Sequence, residues 1–181
     1  MRILIIGDYF PDLGGVTFYV HKLLVKLVKY YNFEIILVHT RPGRFTKYSG
    51  GKVRIYRIPL SYSKGIAYIL NGLKFLPTIV RYVPFMLIRP IESVLLLLLL
   101  GLMREIIVNE KPQIIHSNHL SIRSLAAFII AKKFNIPVII SAHGYDTEVP
   151  SRLYEYLLRR FIIINVKNII VLTYVKKRLL E

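Results

Sequence analysis

The sequence predicts an α/β fold, namely a doubly wound parallel β-sheet with helices on both faces. Short apolar runs rich in Ile, Leu and Val alternate with longer segments whose apolar residues recur at helical spacing. Glycine, proline and polar residues separate the two kinds of segment. Strands that alternate with helices pair in parallel, because each helix returns the chain to the same end of the sheet. With 181 residues, 54% of them hydrophobic, the chain suits one domain with a large core.

The first unit is a strand, a glycine-containing loop and an amphipathic helix. The strand is predicted at residues 2–6 and ends at Gly7, and the loop contains Asp8, Gly14 and Gly15. Glycine has no Cβ, so a ligand can touch the backbone there, and the helix start adds free N–H groups that bind anions. We therefore predict an anion-binding loop; a tight turn that packs helix against strand is the alternative. The sequence contains neither the dinucleotide fingerprint nor the P-loop motif.

The remaining elements continue the alternation. Strands are predicted at residues 33–39, 52–58, 113–117, 138–142 and 168–173. Helices are predicted at residues 91–109, 121–134 and 151–166, and from residue 174 onward. Residues 41–44 have the composition of a turn, and residues 60–90 are expected to form one or two short helices with breaks at the prolines. Basic and apolar residues alternate in the third strand, which places it near a sheet edge.

Positive charge is concentrated in one part of the chain. The net charge is +16, and residues 35–91 contain ten Lys and Arg residues but no Asp or Glu. Such an excess attracts polyanions: nucleic acid, anionic lipid or phosphorylated substrates. The helix after this segment contains six consecutive leucines at 95–100, but its charge-free stretch is shorter than the ~20 residues that span a bilayer. We predict a buried helix; the alternative is that it lies, with the basic segment, on an anionic membrane surface.

Polar segments follow several of the predicted strands. They are residues 8–15 after the first strand, 116–119 at the fourth and 143–146 after the fifth. In a doubly wound sheet, ligands bind outside the carboxyl ends of the strands. We therefore predict that these three segments meet at one edge of the sheet and form a site.

The order of these motifs resembles the N-terminal domain of GT-B fold glycosyltransferases of family 4 (group 1). The motifs are Gly-Gly-Val at 14–16, Ile-Ile-His-Ser-Asn-His at 114–119, Ile-Ile-Ser-Ala-His-Gly-Tyr-Asp at 139–146 and Ile-Ile-Val-Leu-Thr at 169–173. The resemblance implies a retaining transfer, of the hexosyltransferase type, from a nucleotide-sugar to a lipid-linked, phosphorylated or glycan acceptor. It also implies two Rossmann-like domains that face each other across a cleft, with residues 1–181 as the N-terminal, acceptor-side domain.

The same resemblance implies roles for individual residues. Gly14 and Gly15 would present backbone N–H groups to the donor diphosphate. His143 would be the catalytic residue that contacts the transferred sugar near the reacting carbon. The sugar and acceptor side would be lined by Asp8, Thr17, Asn118, His119, Tyr145 and Asp146. A C-terminal domain, absent from this chain, would bind the nucleotide-sugar, so we expect little or no catalysis from the chain alone.

Three residues depart from the family pattern. Thr17 stands where many members have an acidic residue, and Asn168 and Thr173 stand where many have Asp and Ser. No metal or other cofactor is expected, since His116-x-x-His119 has no cysteine and no clear third ligand with it. A nicotinamide or flavin domain is excluded by the missing fingerprint.

One other class of function stays open, a non-enzymatic basic module that binds an anionic membrane or nucleic acid. No nucleic-acid-binding motif is legible, so nucleic acid is not expected as a partner. The absence of cysteine fits a reducing cytoplasm, and the first residues do not resemble a signal peptide. We therefore expect a cytoplasmic protein that is peripheral on the inner face of the cell membrane.

Overall fold

The computed structural model describes residues 1–7, 15–42, 46–48, 51–58, 61–147, 150 and 152–171. Over these ranges the chain forms one seven-stranded sheet with helices on both faces, which confirms the predicted Rossmann-like α/β fold. The strands are β1 (Arg2–Ile6), β2 (Glu34–Pro42), β3 (Thr46–Tyr48), β4 (Val53–Ile58), β5 (Ile114–Asn118), β6 (Val138–Ala142) and β7 (Ile169–Val171).

The strand order is β3-β4-β2-β1-β5-β6-β7. All neighbours pair in parallel except β3, which runs antiparallel to β4 at one edge. The strands β2, β3 and β4 lie on one side of β1 in the sheet, and β5, β6 and β7 lie on its other side. The carboxyl ends of β1 and β5 therefore form the switch point at which doubly wound sheets bind ligands.

The strand predictions differ from the structure mainly around β3. Residues 41–44 were expected to turn, but β2 continues to Pro42 and residues 43–45 lie outside the described ranges. β3 then pairs with β4, which is therefore next to the edge. The helix predicted from residue 174 onward also lies outside the described residues.

The helices are α1 (Gly15–Tyr31), α2 (Tyr62–Gly72), α3 (Leu76–Tyr82), α4 (Pro90–Glu110), α5 (Ile122–Phe134) and α6 (Leu153–Asn165). Short 3-10 turns occur at Leu73–Phe75, Pro84–Ile88 and Gly144–Thr147. Pro77 and Pro90 lie in the first turns of α3 and α4. Proline is tolerated there because a backbone N–H, which proline lacks, would have no acceptor within the helix at these positions. The prolines of this segment thus begin helical segments, and the interruption after α2 comes earlier, at Leu73–Phe75.

The two faces of the sheet are covered differently. On one face α1 packs Val20 and Leu24 against buried residues such as Ile5 and Leu37. On the other face α4, α5 and α6 form a larger core. Nine residues of α4 are buried, which confirms the predicted core helix. Among the helices of the described ranges, none combines the length and apolar composition that crossing a bilayer requires.

The helices α2 and α4 touch backbone to backbone at two glycines. A Cβ added to Gly72 would lie 2.0 Å from the carbonyl oxygen of Leu97. A Cβ added to Gly101 would lie 1.9 Å from the carbonyl oxygen of Tyr68. Any larger residue at either position therefore collides with a backbone atom, and the close packing of α2 on α4 depends on both glycines.

The outward side of α2 and α3 exposes a row of apolar side chains. We name this row the outer ridge; it comprises Tyr62, Ile66, Leu70, Leu73, Leu76 and Val80. Tyr62 is 84% and Leu70 59% exposed. Lys64, Lys74 and Arg81 lie exposed in the same segment. The segment thus exposes apolar and basic side chains together.

A charged network joins the carboxyl end of α4 to the sheet. The Glu110 carboxylate accepts hydrogen bonds from Arg54 Nη1 at 3.0 Å and from the Tyr56 hydroxyl at 2.5 Å. Arg54 Nη2 also donates to Glu34 Oε2 at 2.7 Å. Glu110 is 8% exposed, so the network compensates a buried charge at the end of the sheet opposite the switch point.

Candidate functional site

Asn118 lies at the switch point, between the ends of β1 and β5. Its side chain is fully buried, and its Nδ2 donates a hydrogen bond to the carbonyl oxygen of Ile6 at 3.3 Å. A Cβ on Gly7 would lie 2.7 Å from the same Nδ2 atom. Gly7 therefore leaves the space that Asn118 needs to reach across from β5 to β1.

His143 follows β6 directly and contacts Asn118. Its Nε2 lies 3.2 Å from Asn118 Oδ1. Since Asn118 Nδ2 already donates to Ile6, the amide oxygen must face the imidazole, so His143 Nε2 carries the hydrogen. Burial and the nearby His119 lower the pKa of His143 to about 4, against an opposing effect of Asp146. His143 is thus neutral at pH 7, with the Nδ1 lone pair able to accept a hydrogen bond.

Asp146 holds both histidines of the cluster. Its Oδ2 accepts a hydrogen bond from His119 Nδ1 at 3.2 Å and one from the backbone N–H of His143 at 2.8 Å. Burial acts to raise the pKa of Asp146, but the hydrogen bonds from His119 and the His143 backbone outweigh it, and the pKa lies below its ordinary value. Asp146 is therefore an ionised acceptor, 4% exposed, that positions the His119 side chain and the His143 backbone.

His119 forms the outer wall of the cluster. It has a left-handed backbone with φ of +73°, and its N–H donates to the carbonyl oxygen of Ser141 at 2.9 Å. This conformation is uncommon for a residue other than glycine and turns the chain sharply after β5. The ring of His119 lies 4.9 Å from the ring of His143, and the edge of Tyr19 approaches His143 at 5.3 Å. Two rings therefore lie against the neutral imidazole of His143.

The structure thus brings together Asn118, His119, His143 and Asp146, four of the residues chosen from the sequence. Gly15 begins α1, and Thr17, in its first turn, is 4% exposed. The Tyr145 backbone lies in the 3-10 turn Gly144–Thr147, while its side chain is outside the described set. Asp8 and Gly14 also lie outside the described residues.

The position of His116 corrects a prediction. It was grouped with the polar residues 116–119 at the ligand-binding edge, but it lies within β5, inside the predicted strand 113–117, where its Nε2 is 2.8 Å from Ser141 Oγ. Burial, followed by the proximity of His143, lowers the pKa of His116 to about 4. A polar residue inside a strand resembles the start of a loop in the sequence, and only the pairing with β6 shows that it is buried. Among the described residues, no three His, Asp or Glu side chains converge to hold a metal ion.

Two residues of the site were not chosen from the sequence. Tyr19 was indistinguishable from other residues of the α1 pattern. Arg159 is 7% exposed, and its Nη1 donates to the carbonyl oxygen of Asp146 at 3.1 Å. The signal for Arg159 was its place beside apolar Leu158 on the inward side of a helix, where a charged residue needs a partner.

A cavity of about 410 Å³ opens beside His119 and Asp146. We name it the helix-start cavity, because the first turns of α4, α5 and α6 surround it. These helices contribute, among others, Glu92, Leu95, Arg123, Tyr154 and Glu155. Its volume lies at the lower end of the range for small-molecule sites.

Comparison with known proteins identifies a family. The family model of the glycosyl transferase 4-like domain matches residues 14–180. An uncharacterised glycosyltransferase of Methanocaldococcus jannaschii is 26% identical over 147 residues, which cover 81% of this chain and 33% of that relative. The chain thus spans one third of the length of this relative.

Two solved structures share the fold. A sucrose-phosphate synthase of Thermosynechococcus elongatus superposes with a TM-score of 0.63 at 13% identity, over 100% of this chain and 81% of that one. A UDP-N-acetylglucosamine 2-epimerase of Rickettsia bellii superposes with a TM-score of 0.56 at 16% identity, over 99% of this chain and 41% of that one. At these identities the two structures show the fold alone.

Proposed function

The chain belongs to the glycosyl transferase 4-like family, and from this premise we propose that it is the acceptor-binding half of a retaining glycosyltransferase of the hexosyltransferase type. The donor is a nucleotide-sugar, and the acceptor is lipid-linked, phosphorylated or a glycan. One observation carries the proposal: the neutral His143, held by Asn118, stands at the switch point of the sheet where such folds bind ligands.

The protonation state of His143 suits this reaction. Its Nδ1 lone pair accepts a hydrogen bond from a hydroxyl of the transferred sugar. In glycosyl transfer the reacting carbon becomes cationic in the transition state. A neutral imidazole binds the sugar there without adding a second positive charge, whereas an imidazolium would oppose the reaction.

The donor diphosphate is proposed to lie at the start of α1. Gly15 is the first residue of this helix, and its free N–H groups and positive dipole end attract a phosphate. Together with Gly14, it would stabilise the negative charge that develops on the leaving group. The nucleotide is assigned to a second domain outside these 181 residues, so transfer by this chain alone is expected to be weak or absent.

Isothermal titration with UDP-sugars and GDP-sugars tests this division of labour. Weak or no binding is expected from this chain, since it offers the diphosphate site without the nucleotide pocket. Tight binding of a nucleotide-sugar would contradict the proposal that the nucleotide is bound elsewhere.

Binding of sugar phosphates tests the acceptor role. Titration of the ¹⁵N-histidine-labelled chain with hexose phosphates is expected to move the imidazole signals of His143 and His119. The substitution Asp146→Asn removes the charge that holds the His119 ring and the His143 backbone and should abolish these shifts, while His21→Ala, on α1, should not. Unmoved histidine signals, together with tight binding of duplex DNA, would favour the non-enzymatic basic module instead.

The outer ridge supports a lipid-linked acceptor and a peripheral position on the inner face of the cell membrane. Its apolar row is flanked by Lys64, Lys74 and Arg81, and the described part of the surrounding segment 35–91 contains no acid. Amphipathic helices with this composition bind anionic bilayers through apolar contact and charge together.

Co-sedimentation with anionic and neutral vesicles tests this part of the proposal. Binding is expected with anionic vesicles at low salt, and Leu70→Ser or Lys74→Ala should weaken it severalfold. Ile164→Ser serves as the matched control, because Ile164 is 69% exposed but lies on α6, away from the ridge. Equal binding of all variants, or no binding to any vesicle, would remove the membrane from the proposal and favour a soluble acceptor.

A further inference from the structure

A cavity of about 290 Å³ lies between α3 and the carboxyl end of α5. We name it the basic cavity, because Arg81, Lys132 and Lys133 line it together with the hydroxyl-bearing Thr78 and Tyr82. It shares no lining residue with the helix-start cavity. The three basic side chains are exposed, so a ligand can reach them from solvent. The volume suits a small charged group and is too small for a nucleotide.

Within the described ranges, the three cations of the basic cavity have no carboxylate partner. α3 and α5 contain no Asp or Glu, and none of the ion pairs that the structure describes includes Arg81, Lys132 or Lys133. Lys132 and Lys133 lie in the last turn of α5, where the helix dipole offsets roughly half an elementary charge. Most of the positive charge therefore remains uncompensated, and a bound anion would relieve the mutual repulsion of the cations.

Tyr82 brings two of these cations together. Lys132 Nζ lies 4.2 Å and the Arg81 guanidinium carbon 5.5 Å from the centroid of its ring. A hydrogen bond from Lys132 holds the pKa of the Tyr82 hydroxyl below its ordinary value against an opposing effect of burial, and the charges of Lys132 and Arg81 add to this lowering. Since Lys132 donates to the hydroxyl oxygen, the hydroxyl hydrogen can be donated to a bound anion.

The donors of the basic cavity suit a phosphate with three terminal oxygens. Lysine and arginine make their strongest hydrogen bonds to such ionised oxygens. A phosphomonoester carries up to two negative charges at pH 7, so it can engage several donors of the cavity at once. A phosphodiester offers one charge and one terminal oxygen fewer, and a neutral sugar would leave all the cations uncompensated.

We propose that the basic cavity binds a phosphomonoester. The site goes beyond the proposed function, because α5 begins beside His119 and extends about 20 Å before it reaches the basic cavity at its other end. Two sources supply such a group, a soluble phosphate ester and the headgroup of a lipid such as phosphatidic acid. A lipid headgroup would place its acyl chains near the outer ridge, since the ridge residues Leu76 and Val80 share α3 with Arg81.

NMR titration of the full chain with glycerol 3-phosphate tests this chemistry, with the phosphodiester dimethyl phosphate for comparison. Glycerol 3-phosphate is expected to shift the backbone amide signals of Lys132 and Lys133 and to bind more tightly than the diester. Lys132→Ala and Lys133→Ala together should weaken its affinity by about tenfold or more, and Tyr82→Phe by about three- to tenfold, the effect of one lost hydrogen bond. Lys26→Ala and Lys29→Ala together are the matched control, because they also remove two exposed lysines from one helix, α1, and should change nothing.

Vesicles that contain phosphatidic acid or phosphatidylglycerol, matched in surface potential, identify the source of the phosphate. Tighter binding to phosphatidic acid that is lost in the Lys132 and Lys133 double variant would assign the cavity to a lipid headgroup. Equal binding to the two lipids, with glycerol 3-phosphate still bound, would assign it to a soluble phosphate ester.

Two results would overturn the proposal. The first is that glycerol 3-phosphate does not bind and phosphatidic acid is not preferred. The second is that the Lys26 and Lys29 double variant loses as much affinity as the Lys132 and Lys133 double variant, which would mean that diffuse surface charge attracts the anion. Neither result touches the proposed function, because that function is tested by the His143 signals at the other end of α5.

Discussion

Replacement of Gly101 by alanine should improve helix propensity but disrupt helix packing, so its effect on stability shows which of the two dominates. Alanine is the better helix former, and in an exposed helix the change would stabilise by about 1 kcal/mol. At Gly101, however, the new Cβ would lie 1.9 Å from the carbonyl oxygen of Tyr68. A normal carbon–oxygen contact is about 3.3 Å, so α2 and α4 would have to separate by roughly 1.4 Å.

The size of the destabilisation depends on which atoms can move to relieve this contact. The obstructing atom belongs to a helix backbone, so no side-chain rotation relieves the contact. Overpacking of this kind costs about 3 kcal/mol at the upper end of its usual range. After the gain in helix propensity, a net loss of about 2 kcal/mol in the free energy of unfolding is expected.

Urea denaturation followed by circular dichroism measures this loss. Gly65→Ala is the matched control, since Gly65 also lies inside α2 but its Cβ would meet no atom within 4 Å. The control should gain about 0.5–1 kcal/mol. If Gly101→Ala instead stabilised the protein as Gly65→Ala does, the two helices would not be in backbone contact and the reasoning would be wrong.

Three further predictions concern the site and the sheet. Gly7→Ala should displace the Asn118 amide and lower stability by about 1–3 kcal/mol, and the ¹⁵N imidazole signals of His143 should shift; unchanged signals would contradict the assigned contact. The free energy of unfolding should fall as the pH drops from 6.5 towards 4, by roughly 3 kcal/mol for each of His116 and His143, because these histidines are protonated in the unfolded chain but stay neutral when buried. Urea titrations at pH 7, 6, 5 and 4 measure this slope, and a flat profile would argue against buried neutral histidines. Glu110→Gln should cost about 2 kcal/mol in the same assay, since it removes the more buried of the two carboxylates that pair with the partly buried Arg54, and a cost near zero would mean that solvent screens this pair.

Hydrophobic periodicity was sufficient to predict most of the strands and helices of the fold. It predicted β6 with the bounds that the structure has, and it placed α4 within one residue at each end. It missed β3, because three residues at a sheet edge form a strand only through their pairing with β4. It placed His116 within the fourth strand, but a hydropathy pattern could not show that this side chain is buried against β6 and does not reach the ligand-binding edge.

The residues of the site were easier to predict than their geometry. The order of elements in a doubly wound sheet already brings His143 and Asn118 to one edge. That Asp146 points inward and holds two histidines depends on the 3-10 turn Gly144–Thr147, for which no local pattern was evident. The helix-start cavity was not predictable at all, because its lining comes from the beginnings of three helices far apart in the sequence.

The length of α4 has a consequence for the acceptor proposed above. This helix of 21 residues extends about 31 Å at 1.5 Å per residue, with the helix-start cavity near one end and Glu110 at the other. The glycine contacts fix α2 against its side, so the outer ridge cannot slide along α4 or roll over it. If the ridge rests on a bilayer, the height of the histidines above the lipid surface is a constant of the molecule. An acceptor must then be long enough to reach that height, and chain length becomes a criterion of selection alongside chemistry.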